Sequence, residues 1–319
     1  MNAAVDLALL LPHTSVEQRR ARPLLGTLVE ISATGATEEL VQLALASAFK
    51  AVATVHTLMS YQDVNSEISH INRCAYVEDV TVHEHTWKVL RCAQEISEAC
   101  GGLFDITIAP TLTQLGFLPR HADFPRSSGQ SDWRHVKLLP GNRVRLLRRL
   151  CIDVSGIAKG YAVDVAVQAL LDGGMTAGRV NAGGDLRLFG NAAQTIQLRH
   201  PIKPSQQLSL LEISEGAVAT SAGYYTNRRH QGRMVTPLIH PHTRVACGVE
   251  RSVTVVAQDC MTADALTKVV HADPAQAATV LARFDARALM LEHDPASGGV
   301  RLFDTALASE HGRHTYLWR

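Results

Sequence analysis

The chain carries almost no net charge and few aromatic side chains. Its 319 residues include 31 lysines and arginines and 30 acidic residues, which gives a formal net charge of +1. This balance lacks the strong basic field of most nucleic-acid-binding proteins, so we expect no nucleic-acid partner. Aromatic residues make up only 5%, but 46% of all residues are hydrophobic. That is enough apolar material for the buried core of an enzyme.

The cysteines lack the spacings of disulfide or metal motifs. They stand at positions 74, 92, 100, 151, 247 and 260, and no two form a Cys-x-x-Cys pair. Scattered thiols in apolar surroundings are typical of reduced proteins, so we expect a cytoplasmic location.

Long apolar runs are also missing. None reaches the roughly 18 residues that predict a membrane span, and no basic n-region precedes the leucines near the amino terminus. We interpret residues 1–21 as a tail and residues 22–319 as one large domain. The sequence predicts no particular oligomeric state.

Helical and strand patterns are mixed along the chain. Thr37, a good N-cap, precedes apolar positions spaced by four and three up to Met59, which predicts a long helix. Further helices are predicted at 84–100, 262–271 and after Asp273, and a surface loop at 119–135. Strands are predicted at 28–31, 104–108, 143–147, 150–154, 185–189, 195–199, 208–213, 253–255, 288–291 and 300–303. The elements do not alternate strictly, which favours an α+β fold over a doubly wound one.

The most informative stretch is residues 152–164, Ile-Asp-Val-Ser-Gly-Ile-Ala-Lys-Gly-Tyr-Ala-Val-Asp. It predicts a short strand, a Gly-x-x-x-Gly turn that carries Lys159, and a helix with Asp164 in its first turns. Backbone N–H groups at a helix N-terminus bind anions, so the turn is a candidate phosphate site. The order of a Walker A loop is absent. Taken alone, the stretch is also consistent with an ordinary strand-to-helix connection.

Five further polar clusters lie at predicted turns or element ends. They are Met59 to Asn72, Gly102 to Pro110, Asn181 to Asp185, Ala219 to Tyr224, and Asp264 to Lys268. Each has a structural explanation as well as a functional one. A carboxylate in an apolar strand, for example, needs either a protein partner or a ligand.

Taken in order, these clusters resemble the motifs of the ApbE family of FAD:protein FMN transferases. The resemblance runs from about Leu25 to about Leu291. It includes Gly-x-Phe-Asp-x-Thr-x-x-Pro from Gly102, Asp-x-x-Gly-Ile-Ala-Lys-Gly-Tyr-Ala-x-Asp from Asp153, and Asn-x-Gly-Gly-Asp from Asn181. It implies a single large ApbE-like, T-fold-related domain, in which mixed or antiparallel sheets pack against helices.

The resemblance also implies a reaction. FMN would be transferred from FAD to a threonine or serine hydroxyl of an acceptor flavoprotein, with release of AMP and with Mg²⁺ as cofactor. The implied FAD contacts are Met59, Phe104, Asp105, Ile106, Lys159, Asp164, Asp185 and Thr220. The implied metal ligands are the Ala158 carbonyl, Asp264, and a residue near position 268. Phosphoryl transfer requires groups that neutralise the pyrophosphate and a group that removes the proton of the attacking hydroxyl.

Position 268 departs from the family, because Lys268 stands where a threonine ligand is expected. An ammonium group cannot ligate Mg²⁺. Either Lys268 fills the place of the metal and bonds the pyrophosphate or Asp264, or Thr267 becomes the ligand. We favour the first, since a shift of one position turns a helical side chain by about 100°.

A second departure lies in residues 237–244. Pro237 replaces a histidine implicated in proton transfer, His240 replaces an aspartate, and Arg244 replaces a glycine. His240 or His242 is the candidate base, because imidazole titrates near neutrality. We therefore take His240 and Lys268 as the catalytic candidates. Two alternatives stay open: a catalytically impaired FAD-binding protein that acts as a carrier or interaction module, and an FAD pyrophosphatase.

Overall fold

A computed structural model of the chain describes residues 15–126, 131–190, 193–305 and 316–318. The α-helices of these residues are α1 (Glu38–Met59), α2 (Glu67–Cys74), α3 (Glu84–Ala99), α4 (Ala109–Gln114), α5 (Ser155–Asp172), α6 (Cys260–Ala272) and α7 (Pro274–Arg283). The first strands are β1 (Val16–Leu24), β2 (Thr27–Gly35), β3 (Val80–Thr81), β4 (Val136–Leu139), β5 (Arg143–Leu146), β6 (Ala177–Ala182), β7 (Asp185–Phe189) and β8 (Gln194–Arg199). The others are β9 (Gln207–Ile213), β10 (Gly216–Ala222), β11 (Arg228–His230), β12 (Arg233–Val235), β13 (Arg251–Ala257), β14 (Arg287–Asp294), β15 (Gly299–Asp304) and β16 (Tyr316–Trp318).

The main sheet has nine strands in the order β1-β2-β6-β7-β10-β13-β14-β15-β16. All neighbouring strands in it are antiparallel. In β2 the alternate residues Val29, Ile31 and Ala33 are buried, because successive side chains of a strand point to opposite faces. Helices α1, α5 and α6 contact the sheet. This arrangement confirms the predicted α+β class with antiparallel sheets packed by helices.

Helix α1 begins after Thr37, whose side chain accepts a hydrogen bond from the Leu40 N–H, as predicted. Its buried face includes Val41, Leu45 and Val52, and the helix packs on α5. By length and mean hydropathy, 1.3, α1 is also long and apolar enough to cross a membrane. That is weak support for a span, because helices that bury one face in a protein core pass the same test.

Helix α5 lies at the centre of the fold and packs against both α1 and α6. A Cβ on Gly160 would overlap the carbonyl group of Cys260 in α6. Only glycine allows the two helices to approach this closely. The approach places Lys159 of α5 beside the pocket-facing side of α6.

Two strand predictions were wrong. Residues 106–108 form a 3₁₀ turn in place of a strand, because the Asp105 side chain accepts a hydrogen bond from the Thr107 N–H at 2.7 Å and caps it. Residues 150–154 form no strand. The side chain of Asn72 makes the main-chain hydrogen bonds that a neighbouring strand would otherwise make there. Asn72, fully buried, donates to the Ile152 carbonyl at 3.0 Å and accepts from the Ile152 N–H at 2.8 Å.

The predicted turn around Lys159 was also wrong, since α5 already begins at Ser155 and contains both glycines of the Gly-x-x-x-Gly pattern. Residues 16–21, predicted as part of an amino-terminal tail, belong to β1 and pair with β2. Residues 1–14 lie outside the described residues, as do 127–130 in the predicted surface loop. The described part of that loop includes a 3₁₀ turn at Trp133–His135. The other predicted helices and strands overlap observed elements.

Candidate functional site

Two cavities adjoin each other at the first turn of α5. The first, cavity A, has a volume of about 360 Å³, and the second, cavity B, has a volume of about 510 Å³. Asp153, Ser155 and Lys159 line both cavities. The two therefore form one cleft, in which an elongated ligand would cross the start of α5.

The cleft brings together most of the residues that the family resemblance implies. Those that line cavity A are Phe104, Asp105, Ile106, Lys159, Thr220 and Lys268. Those that line cavity B are Met59, Ala158 and Lys159. The remaining candidates are not among the residues that line either cavity: Asp164, Asp185, His240, Asp264 and Thr267.

Lys159 is held at the junction of the cavities by an ion pair. Its Nζ contacts Oδ2 of Asp185, which begins β7 and is 1% exposed. Burial lowers the pKa of the Lys159 ammonium, the Asp264 carboxylate opposes this shift, and the ammonium of Lys268 adds to it. Asp185 thus lies behind the cavity surface, where it holds Lys159 in place and compensates its positive charge.

Lys268 forms a second ion pair on the same side of the cleft. Its Nζ contacts Oδ1 of Asp264 and donates to the Asp264 main-chain carbonyl at 2.9 Å. Oδ2 of the same carboxylate accepts a hydrogen bond from the Gly160 N–H at 3.1 Å. Asp264 is fully buried, and Lys268 lines cavity A. The ammonium therefore lies between the carboxylate and the cavity.

The Thr267 hydroxyl bonds the Asp264 main chain and Ser221. It donates to the Asp264 carbonyl at 2.6 Å and lies 2.7 Å from the hydroxyl of Ser221 in β10. The side chain is fully buried. Of the two arrangements considered for position 268, the structure has the one in which Lys268 bonds Asp264.

The residues present do not fit a magnesium ion. Magnesium requires several hard oxygen ligands in near-octahedral geometry. Here the Asp264 carboxylate is bonded by an ammonium and by a backbone N–H, and the Thr267 hydroxyl is engaged elsewhere. Among the residues that the structure describes, no group of three or more His, Cys, Asp or Glu side chains is placed to hold a metal. Magnesium binding stays a prediction from the resemblance.

Asp164 holds α6 in place and makes no contact with the cleft surface. Its carboxylate accepts hydrogen bonds from the N–H groups of Cys260 at 2.9 Å and Met261 at 2.8 Å, at the start of α6. Arg187 donates to it at 2.7 Å. Burial raises the pKa of Asp164 to about 6, against the opposing effect of these partners. Its position does not support the predicted contact with FAD.

His240 is used to build a turn. Its Nδ1 accepts the backbone N–H groups of His242 at 3.2 Å and Thr243 at 3.4 Å. In this region cavity A is lined by Pro237, Leu238, Ile239 and Pro241, and His240 is not among them. The position therefore does not support a role for His240 as the catalytic base. His242 lines a separate cavity with Arg244, and its Nε2 lies 3.1 Å from the Gly101 carbonyl, to which it donates.

Two carboxylates lie in the wall of cavity A. Asp105 accepts from the Thr107 N–H at 2.7 Å and lies 3.7 Å from the guanidinium of Arg244. Asp153 accepts from the backbone N–H and the hydroxyl of Ser155. Burial raises the pKa of both groups, with these hydrogen bonds opposing it. Asp105 thus has both a hydrogen-bond donor and a nearby cation, whereas the contacts of Asp153 are the two hydrogen bonds from Ser155.

His271 is a cleft residue that sequence reasoning missed. It lines cavity A, is 1% exposed, and its Nε2 lies 3.0 Å from the Ser221 carbonyl, to which it donates. Its Nδ1 has no partner among the described residues. Burial lowers the pKa of His271 to about 4. The available signal was its spacing, since it stands three residues after Lys268 and therefore on the same face of α6.

Comparisons with known proteins point to one family. The ApbE family model matches residues 25–290. A relative from Vibrio cholerae, named FAD:protein FMN transferase, is 30% identical over 226 residues, which cover 66% of this chain and 68% of the relative. A second protein of that name, from Klebsiella pneumoniae, is 26% identical over 235 residues, which cover 70% and 74%.

Solved structures share the fold. An ApbE protein from Thermotoga maritima superposes with a TM-score of 0.78 at 25% identity, covering 89% of this chain and 96% of that one. The flavin transferase ApbE from Vibrio cholerae superposes with a TM-score of 0.74 at 22% identity, covering 91% and 97%. The similarity therefore includes the sheet and helices that build the cleft.

Proposed function

The chain belongs to the ApbE family, and we propose that it is a FAD:protein FMN transferase. It transfers FMN from FAD to a threonine or serine hydroxyl of an acceptor protein and releases AMP. The observation that carries this proposal is the junction of the two cavities, where Lys159 of α5 lines both cavities and Lys268 of α6 lines cavity A.

FAD suits a cleft of this shape. It consists of two ring systems joined through a pyrophosphate, and the cleft consists of two cavities joined at Lys159, with Lys268 in the wall of cavity A. Charge-assisted hydrogen bonds to a phosphate contribute about 1.5–3 kcal/mol each. Apolar side chains that suit a ring system line both cavities, including Phe104 and Ile106 in one, Met59 and Leu118 in the other.

In the reaction, the acceptor oxygen forms a bond to the phosphorus of the FMN half. The bond from that phosphorus to the oxygen bridging to AMP breaks, that oxygen leaves with AMP, and the hydroxyl proton passes to water. Negative charge increases on the pyrophosphate oxygens as the bond breaks. Lys159 and Lys268, held in place by buried carboxylates, stabilise that charge without having to reorganise. A bound magnesium would supply Lewis-acid activation, but the residues present do not fit it.

The relatives are named FAD:protein FMN transferases, which favours transfer over the two alternatives, a pyrophosphatase and a carrier. A pyrophosphatase would pass the FMN half to water, and a carrier would bind FAD without breaking it. Both would use the same cleft, so the products distinguish them. We further propose a protein acceptor and a cytoplasmic location; the location is supported by the six cysteines, all of which are free thiols.

Product analysis with a matched pair of variants tests the proposal. The protein is incubated with FAD and with a threonine-bearing acceptor protein taken from the flavinylation system of a relative. We expect a fluorescent acceptor band and one AMP per flavin attached. Lys159→Ala should abolish both products, while Lys137→Ala, on the exposed side of β4, should retain them. Free FMN without a labelled acceptor would indicate a pyrophosphatase, and bound but intact FAD would indicate a carrier.

A further inference from the structure

We propose that Lys268 is a built-in cation that takes the place of a divalent metal, so that this chain binds FAD without magnesium. The inference rests on the proposed function, since it concerns how the same cleft holds the pyrophosphate of FAD. The family resemblance implies a magnesium ion, but the groups around Asp264 do not offer the oxygen ligands that magnesium requires.

The geometry places the ammonium where a cation would approach Asp264. Lys268 Nζ contacts both Oδ1 and the main-chain carbonyl of this residue. The carboxylate is fully buried, while the lysine side chain is 23% exposed and lines cavity A. A divalent ion entering from the cavity would meet the ammonium before the carboxylate, and the two positive charges would repel each other.

The buried carboxylate needs no metal for compensation. An isolated ionised carboxylate in a protein interior is strongly unfavourable unless it is paired and hydrogen-bonded. Asp264 has both kinds of partner, the Lys268 ammonium on Oδ1 and the Gly160 N–H on Oδ2. Thr267 is committed to the Asp264 carbonyl and to Ser221. The protein itself therefore supplies the charge and hydrogen-bond partners of Asp264.

Donors remain for a pyrophosphate. Each lysine ammonium has three N–H donors. Lys268 uses two on Asp264, and Lys159 uses one on Asp185. One N–H of Lys268 and two of Lys159 are thus left for a ligand in the cleft. Lys268 therefore supplies one positive charge beside Lys159, at the place where a divalent ion would supply two.

Binding measurements without turnover test the inference. FAD affinity of the full chain is measured by calorimetry in excess EDTA and again in excess MgCl₂. We expect the two dissociation constants to agree within about twofold. In Lys268→Thr, affinity in EDTA should fall about tenfold, equivalent to about 1.4 kcal/mol, and Mg²⁺ should restore it, because the carboxylate of Asp264 is then free. Lys137→Thr, the same change on exposed β4, should behave as wild type.

A second variant covers the case in which Lys268→Thr does not fold. Lys268→Arg keeps the positive charge and should bind FAD in EDTA with an affinity within about threefold of wild type. FAD binding by wild type that requires Mg²⁺ would overturn the inference and leave the proposed function intact. The absence of FAD binding in both conditions would overturn the proposed function itself.

Discussion

The two sides of the cleft are held in different ways. One side, the α5–α6 wall (residues 155–164 and 260–271), is joined by buried polar contacts between the helices. The Gly160 N–H donates to Asp264, and Asp164 accepts from the first N–H groups of α6. The other side, the 237–244 loop, is held by a turn that its own residues build.

The 237–244 loop relies on His240 and Arg244. The Arg244 N–H donates to the His240 carbonyl at 2.8 Å, with Arg244 at a φ of 58°. Its guanidinium donates to the Ser131 carbonyl at 2.6 Å and to the Thr107 carbonyl at 3.2 Å. The loop thus depends on a turn of its own backbone and on one long side chain that reaches two other segments, and not on the close approach of two helices. Departures from the family pattern stand at Pro237, His240 and Arg244 in this loop, while the α5–α6 wall keeps its pattern except at Lys268.

The largest expected effect is acid destabilisation through His271 in the α5–α6 wall. Its folded pKa of about 4 lies below the ordinary value of 6.5. Between those pH values the unfolded chain binds a proton that the folded protein does not, so stability is lost as the pH falls. The loss reaches about 3 kcal/mol at pH 4. Urea unfolding of wild type and His271→Gln from pH 7 to pH 4 measures it; parallel curves would contradict the assignment.

A pair of glycines in α5 tests the close packing of the wall. Gly160→Ala should lower the free energy of unfolding by about 2 kcal/mol, because the added methyl meets the backbone of Cys260. Gly156→Ala is the matched control, since its methyl would only touch the flexible Lys268 side chain, at 3.4 Å. The control should be neutral or slightly stabilising, as alanine favours helix. Equal effects of the two changes would show that α5 and α6 are not held by this contact.

Asp164 distinguishes a supporting residue from a ligand-binding one. Asp164→Asn should cost about 1.5 kcal/mol of stability, typical of a lost helix cap, because the amide has one acceptor oxygen instead of two, so the N–H of either Cys260 or Met261 loses its partner. The FAD affinity of the folded variant should stay within about threefold of wild type. A much larger loss of affinity without loss of stability would restore Asp164 as a contact to FAD.

The smallest effect is expected in the 237–244 loop. Arg244→Gly removes the guanidinium contacts but relieves the left-handed backbone, so the net change in unfolding free energy should be below about 1 kcal/mol. Arg244→Ala loses the contacts and keeps the unfavourable backbone conformation. It should therefore be less stable than the glycine variant by about 1 kcal/mol. The reverse order would mean that the turn does not constrain this residue.

Sequence patterns predicted elements whose stabilising contacts are local, such as α1 with its Thr37 cap. They failed at 150–154, where the backbone partner is Asn72, 80 residues away. The candidate site shows the same division. The motifs located Lys159 and Phe104 in the cleft, because those positions follow a pattern along the chain. They could not show that Asp164 caps α6, 96 residues later, or that His240 is committed to a turn, because both depend on which groups the fold brings together.

The central claim is that FAD binds across α5 with its pyrophosphate on Lys159. Its most direct test is the titration of purified wild type, Lys159→Ala and Lys137→Ala with FAD, followed by flavin fluorescence and thermal unfolding. We predict saturable binding and a raised melting temperature for wild type and Lys137→Ala, and the loss of both in folded Lys159→Ala. Equal binding by all three proteins, or no binding by wild type, would contradict the account.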